Sequence, residues 1–173
     1  MLKSALAAMG ERMSKRKRFD KELFTENDSP ARLAGIRYWS ALGYIAAPNY
    51  DKYGPDLIVI TDSERFYSEV EIKRVWSGEA FQYDTLQIPE RKRKFVGLDL
   101  PCTFMVFNNE QTYAFLCEGD TLITSPLVEV PNKYVHAGEM FYQVPINKLK
   151  LVRVPVQSIK MILLINLKES MLT

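Results

Sequence analysis

The sequence predicts one α/β domain built on a mixed β-sheet flanked by helices, and three observations carry that expectation. A helix pattern over residues 29–43 runs directly into short β-branched stretches. One of these, Phe66–Lys73, alternates with period two, and a basic helical segment separates it from two apolar runs that read as a hairpin. The length of 173 residues suits a single core, and 47% hydrophobic with 25% charged residues excludes disordered and fibrous classes.

Each element has its own warrant. Residues 1–28 are polar and basic and predict an arm or a loosely packed helix. Ser29-Pro30 suits a helix start, because Ser can accept from an orphan N–H and Pro is at home in the first turn; Gly43 suits its stop. Between them Leu33, Ile36, Arg37, Trp39, Ser40 and Leu42 give a partly apolar face. Tyr44–Pro48 and Pro55–Thr61 read as strands joined by the loop 49–54, and Asp62–Arg65 is a polar turn into Phe66–Lys73. On that third strand Phe66, Ser68, Val70 and Ile72 share the core-seeking face, and Tyr67, Glu69, Glu71 and Lys73 share the other. Residues 77–88 are mixed. Pro89–Val96 predicts a short helix closed by Gly97, and Cys102–Phe107 with Tyr113–Glu118 predicts a hairpin. Past Gly119, four prolines among short apolar pieces predict loops and short strands.

Composition narrows the chemistry. A hairpin centred between Asn109 and Glu110 would set Cys102 opposite Cys117, either as two reduced thiols or as a redox bridge. No C-x-x-C pair is present, and the single His136 rules out histidine triads and paired-histidine zinc sites. The longest apolar run, Met161–Ile165, is far short of a membrane span, so a soluble, cytoplasmic protein is expected. Net charge is only +2, but basic residues cluster at Arg12–Arg18, which includes Lys15 and Arg16, and at Arg91–Lys94. Such patches suit phosphate contacts, although either can equally be a solvated face or tail. Trp39 and Trp76 are expected as packing residues.

Closing the second and third strands with the Asp62–Arg65 turn pairs Asp56 with Glu71. Two carboxylates facing each other destabilise a sheet unless a cation lies between them, and hard oxygen donors at that spacing suit Mg²⁺ or Mn²⁺. Lys73 falls on the same face, where an ammonium can polarise water or neutralise a phosphate. The bland alternative is an exposed edge hairpin with Lys73 as a salt-bridge partner, and Glu69 reads as a solvated outward residue.

Pro55-Asp56 followed by Glu71-Ile72-Lys73 resembles the two halves of the PD-(D/E)XK nuclease motif, and the order of elements over about Pro30–Glu118 resembles that superfamily's core. The resemblance implies a restriction-endonuclease-like α/β fold over 29–118, preceded by the basic segment 1–28 and followed by a strand and loop extension, 119–173, packed on the same domain. It implies metal held by Asp56, Glu71 and the Ile72 carbonyl, and Lys73 assisting the attacking water. Gln87 matches the glutamine many members carry, with Gln82 a weaker match. The implied activity is Mg²⁺- or Mn²⁺-dependent endonucleolytic cleavage of DNA, of homing, restriction or junction-cutting type, leaving 5′-phosphate ends. DNA contacts are then expected from Arg91, Lys92, Lys94, Arg32, Lys15 and Arg16, and a homodimer or larger assembly for cutting two strands. One departure stands out: the first-helix acid of the family is replaced by Ala31-Arg32-Leu33-Ala34, leaving Glu26, Asp28 or Glu69 to substitute. A nucleic-acid-binding module that keeps the fold without turnover is the rival reading.

Overall fold

The computed structural model describes residues 21–132 and 135–156. The elements are α1 (Lys21–Ala41), β1 (Ile45–Pro48), β2 (Leu57–Ile60), β3 (Arg65–Lys73), β4 (Thr85–Pro89), a 3₁₀ helix (Glu90–Phe95), β5 (Cys102–Asn108), β6 (Tyr113–Glu118), α2 (Gly119–Ile123), β7 (Leu127–Asn132), β8 (Val135–Pro145), a second 3₁₀ turn (Ile146–Lys148) and β9 (Lys150–Arg153). A six-stranded mixed sheet runs β1-β2-β3-β5-β6-β9, parallel only between β3 and β5. A three-stranded antiparallel sheet, β4-β8-β7, lies apart from it in hydrogen bonding. The expected mixed α/β architecture is therefore present. No helix among the described residues is long and apolar enough to cross a membrane.

Two cores sit on opposite faces of the large sheet. On one, Ala31, Ala34, Tyr38 and Trp39 of α1 pack on Leu57, Val59, Val70, Met105 and Phe107. On the other, Trp76, Leu86, Ile88 and Phe95 pack with Phe104, Val106, Phe115 and Tyr142. All of β5 is buried, which is why it reads as a continuous apolar run instead of an alternating one. The face α1 offers differs from expectation: Leu33 is 62% exposed, and the small residues turn inward. A Cβ on Gly35 would lie 2.7 Å from Leu57 Cδ1 and 3.0 Å from Val70 Cγ1, so the helix approaches the sheet as closely as backbone allows. Trp39 donates from Nε1 to the buried Ser68 hydroxyl at 3.2 Å, which fixes the helix along β3.

Other expectations need correction. The helix does not begin at Ser29: it already spans Lys21–Ala41 among the described residues, running through Pro30 and forgoing one helical hydrogen bond there. Its end is as expected: Gly43 has φ +85°, with Gly43 N–H bonded to the Ser40 carbonyl and Tyr44 N–H to that of Trp39. The short helix expected after Pro89 is present as a 3₁₀ helix, Glu90–Phe95. The C-terminal part holds an 11-residue strand, β8, because Pro131 lies on edge strand β7 at an irregular pairing and Pro145 closes β8. In the β5–β6 hairpin Phe104, not Cys102, lies opposite Cys117. The buried Asn108 side chain accepts from Thr112 N–H at 2.8 Å and Tyr113 N–H at 3.1 Å, enlarging the turn and shifting the register. Both cysteines are free and buried, as the reading of two reduced thiols expects, and burial pushes each thiol up to about 12.

Candidate active site

The β2–β3 turn decides which side chains meet. Thr61 N–H bonds to the Glu64 carbonyl at 2.9 Å, and the Thr61 hydroxyl accepts from Ser63 N–H at 3.3 Å and Glu64 N–H at 3.1 Å. That closes the turn over Asp62 and Ser63, pairing Ile60 with Arg65 and Leu57 with Ser68. Continued one step, the register sets Asp56 beside Glu69 and not opposite Glu71, which corrects the expected pair. Because the slip is of two residues, Glu69 and Glu71 still share a face.

Asp56 is buried, and its oxygens have defined partners. Oδ1 accepts from Arg32 Nε at 3.1 Å and Nη2 at 3.0 Å, and Oδ2 accepts from Val70 N–H at 3.0 Å. Its own N–H donates to Glu69 Oε2 at 3.2 Å. Arg32, expected as a DNA contact, is thus a ligand of the central carboxylate, placed there by the close seating of α1 over Leu57 and Val70.

Lys92 enters from the other side. In a 3₁₀ helix residues three apart eclipse, so Lys92 follows the buried Phe95 inward. Its Nζ donates to Glu71 Oε2 at 2.6 Å and lies 3.5 Å from Glu69 Oε1, with 12% of the side chain exposed. Lys92 is therefore no surface phosphate contact in this arrangement, which revises that expectation. Burial raises the Glu69 carboxyl to about 8, with Asp56 adding to the rise and Lys92 opposing it. Glu69 is accordingly not the solvated residue its position suggested: 12% of its side chain is exposed. Burial opposes ionisation of Glu71 as well, but Lys92 and, further off, Lys73 outweigh it and lower its pKa. Burial lowers the Lys73 pKa, with Glu71 resisting. Glu71 keeps 35% of its side chain exposed, so the cluster opens to solvent there.

The other expected residues scatter. Gln87 sits half-buried on β4, opposite Gln143 in the smaller sheet, and no hydrogen bond from its side chain reaches the carboxylates; Gln82 precedes that strand. Arg91 and Lys94 are exposed: Arg91 pairs with Glu139, and Lys94 donates to the Tyr53 carbonyl at 3.3 Å. Lys15 and Arg16, and the side chains of Glu26 and Asp28, lie outside the described residues. Sequence reasoning missed Arg32 on Asp56 and Lys92 between the glutamates. The spacing from Lys92 to Phe95 was a signal for the second once a 3₁₀ helix is considered.

No family model and no curated protein matches the chain. Among solved structures it is similar to a bacterial homing endonuclease, I-Ssp6803I, with 16% identity, a TM-score of 0.41, and 64% of this chain and 84% of that chain covered. At so low a score the likeness says nothing of the site residues.

Proposed function

We propose that this chain is a metal-dependent nuclease of the PD-(D/E)XK kind, hydrolysing phosphodiester bonds in DNA as an endonuclease of homing, restriction or junction-cutting type. The observation that carries the reading is the half-open cluster of Asp56, Glu69 and Glu71 with Lys73 and Lys92, in which burial and neighbouring charge perturb the ionisation of Glu69, Glu71 and Lys73.

The donor set suits Mg²⁺ or Mn²⁺ in kind, being hard carboxylate oxygens on adjacent strands, although no three acidic, histidine or cysteine side chains among the described residues are set to hold an ion together. The partly exposed Glu71 would hold the ion first, with Asp56 and the Ile72 carbonyl completing the set as the motif implies. Bound there, the ion supplies Lewis-acid stabilisation of charge building on a phosphate and lowers the pKa of a water. The protein's own groups do the rest. Arg32 and Val70 N–H hold Asp56 in a fixed orientation. Lys73 brings an ammonium group to the Glu71 edge, where it can hold a water or a phosphate oxygen, while Lys92 pairs with both glutamates. Arg91, Arg93 and Lys94 are the exposed basic residues of the 3₁₀ helix and offer phosphate contacts beside the cluster. A homodimer would supply one site for each strand of a duplex.

Arg32 and Lys92 also favour the second reading. They neutralise the acids without a metal, as expected of a nucleic-acid-binding module that no longer turns over. Incubating the protein with supercoiled plasmid, four-way junctions and single strands, with and without Mg²⁺, separates the two. Mg²⁺-dependent nicking supports the nuclease, and binding to DNA without product in any divalent ion supports the module.

A further inference from the structure

A cavity of about 330 Å³ opens beside the acid cluster, lined by Asn49, Asp51, Tyr53, Tyr67, Phe95 and Asp99 among others. That is the small end of the range of ligand sites, about 300–1,000 Å³. Pro55 also lines it, so it lies one residue from Asp56, and the Asn49 N–H to Asp56 carbonyl bond at 2.8 Å ties its wall to the cluster. Its floor and rim are built. Asp51 accepts from Tyr53 N–H at 2.9 Å, its N–H donates to Asn49 Oδ1 at 3.1 Å, and a Cβ on Gly54 would lie 2.7 Å from Asn49 Nδ2. The Tyr67 hydroxyl donates to Asp99 Oδ1 at 3.2 Å across the cavity wall.

The lining chooses the ligand. Tyr53, 76% exposed at the rim, offers a stacking surface, and Tyr67 and Phe95 add aromatic walls. Two carboxylates, Asp51 and Asp99, outnumber the one ammonium, Lys94, which already donates to the Tyr53 carbonyl and lies over the Phe95 ring at 4.7 Å. A phosphate would meet net negative charge there. A neutral planar group with N–H donors on its edge would meet aromatic faces and carboxylate acceptors, the pairing by which acidic side chains read a base amino group. We infer that the cavity is a subsite for one nucleobase carrying an exocyclic amino group, in the strand whose phosphate reaches Glu71. This deepens the nuclease reading, on which it rests, by naming the substrate contact that would set sequence or structure preference.

The test needs no cleavage. The full chain is titrated with deoxycytidine, deoxyadenosine, deoxyguanosine, thymidine and 2-deoxyribose 5-phosphate, following backbone amide shifts by NMR. Shifts at Tyr53, Tyr67 and Asp99 with the three amino-bearing nucleosides, and not with thymidine or the sugar phosphate, are expected. Asp99→Asn should weaken that binding about tenfold, as should Tyr53→Ala, whose exposed side chain leaves the fold unthreatened. No shifts at tens of millimolar, equal response to the sugar phosphate, or unchanged affinity in both variants would overturn the subsite. Nucleoside binding by a protein that cuts no DNA would leave the subsite standing and defeat the nuclease reading alone.

Discussion

The two faces of β3 bury side chains by opposite means. Toward α1, Ser68 and Val70 are closed in by a helix seated so tightly that a Cβ on Gly35 would press on Leu57 and Val70, and the buried Ser68 hydroxyl accepts a bond from Trp39. Toward the 3₁₀ helix, Glu69 is covered almost as well and Glu71 in part, by Lys92 and by an aspartate that is itself ion-paired. The first face gains stability from the apolar area it hides. The second pays desolvation for each charge and recovers it only while every partner stays in place. Apolar residues of the same size would hold the sheet at no such expense.

The comparison can be sharpened by unpacking one face at a time. On the dry face, Leu57→Ala should cost about 2–5 kcal/mol, read as a loss in denaturation midpoint, while DNA binding per folded molecule is retained. On the charged face, Lys92→Met should cost somewhat less than the about 3–5 kcal/mol of a fully buried broken pair, since Glu71 is partly exposed. Adding Glu69→Gln and Glu71→Gln to Lys92→Met should restore most of that loss. Failure of the restoration in urea melts would show that Lys92 acts through packing alone.

A smaller effect separates the faces by pH. The Glu69 carboxyl is raised to about 8 by burial, so the folded state binds a proton that the unfolded chain has released above its ordinary carboxylate pKa. The stability this confers is complete below the unfolded value and is lost as pH rises through about 8. Melting temperature should therefore fall across neutral pH, and Glu69→Gln should flatten that decline. A decline of equal steepness in the variant would place the titrating group elsewhere.

The smallest effects belong to the exposed edge. Arg91→Ala with Lys94→Ala should leave stability within about 0.5 kcal/mol, as surface changes do. The pair should reduce the slope of log affinity against log salt by roughly 1–2, near 0.9 for each lost duplex phosphate contact. An unchanged slope would confine these two residues to their bonds with Glu139 and Tyr53.

How much of this was legible follows from the physics of each element. The alternation of β3 was plain, because period two survives any register. The partner of Asp56 was not, because it depends on whether the turn closes at Ser63 or one residue later, and the Thr61 hydroxyl settles that through tertiary geometry. Lys92 was read as surface because four contiguous basic residues suggest a wet face, and an α-helical wheel hides the eclipsing of Lys92 with Phe95. Arg32 stood in view as the replacement for an acid, yet its bond to Asp56 required knowing that α1 comes within backbone distance of β2. The long β8 hairpin was masked by prolines that an edge strand and a strand end tolerate.

The claim that the charged face of β3 is a catalytic site is tested most directly by single-turnover cleavage of supercoiled DNA in Mg²⁺ by the parent protein and by Glu71→Gln, with thermal melts on the same samples. The account predicts a loss of at least about 10²-fold in rate, the scale of a removed electrostatic contribution, with a cooperative melt retained. Equal cleavage by a folded Glu71→Gln protein would contradict it.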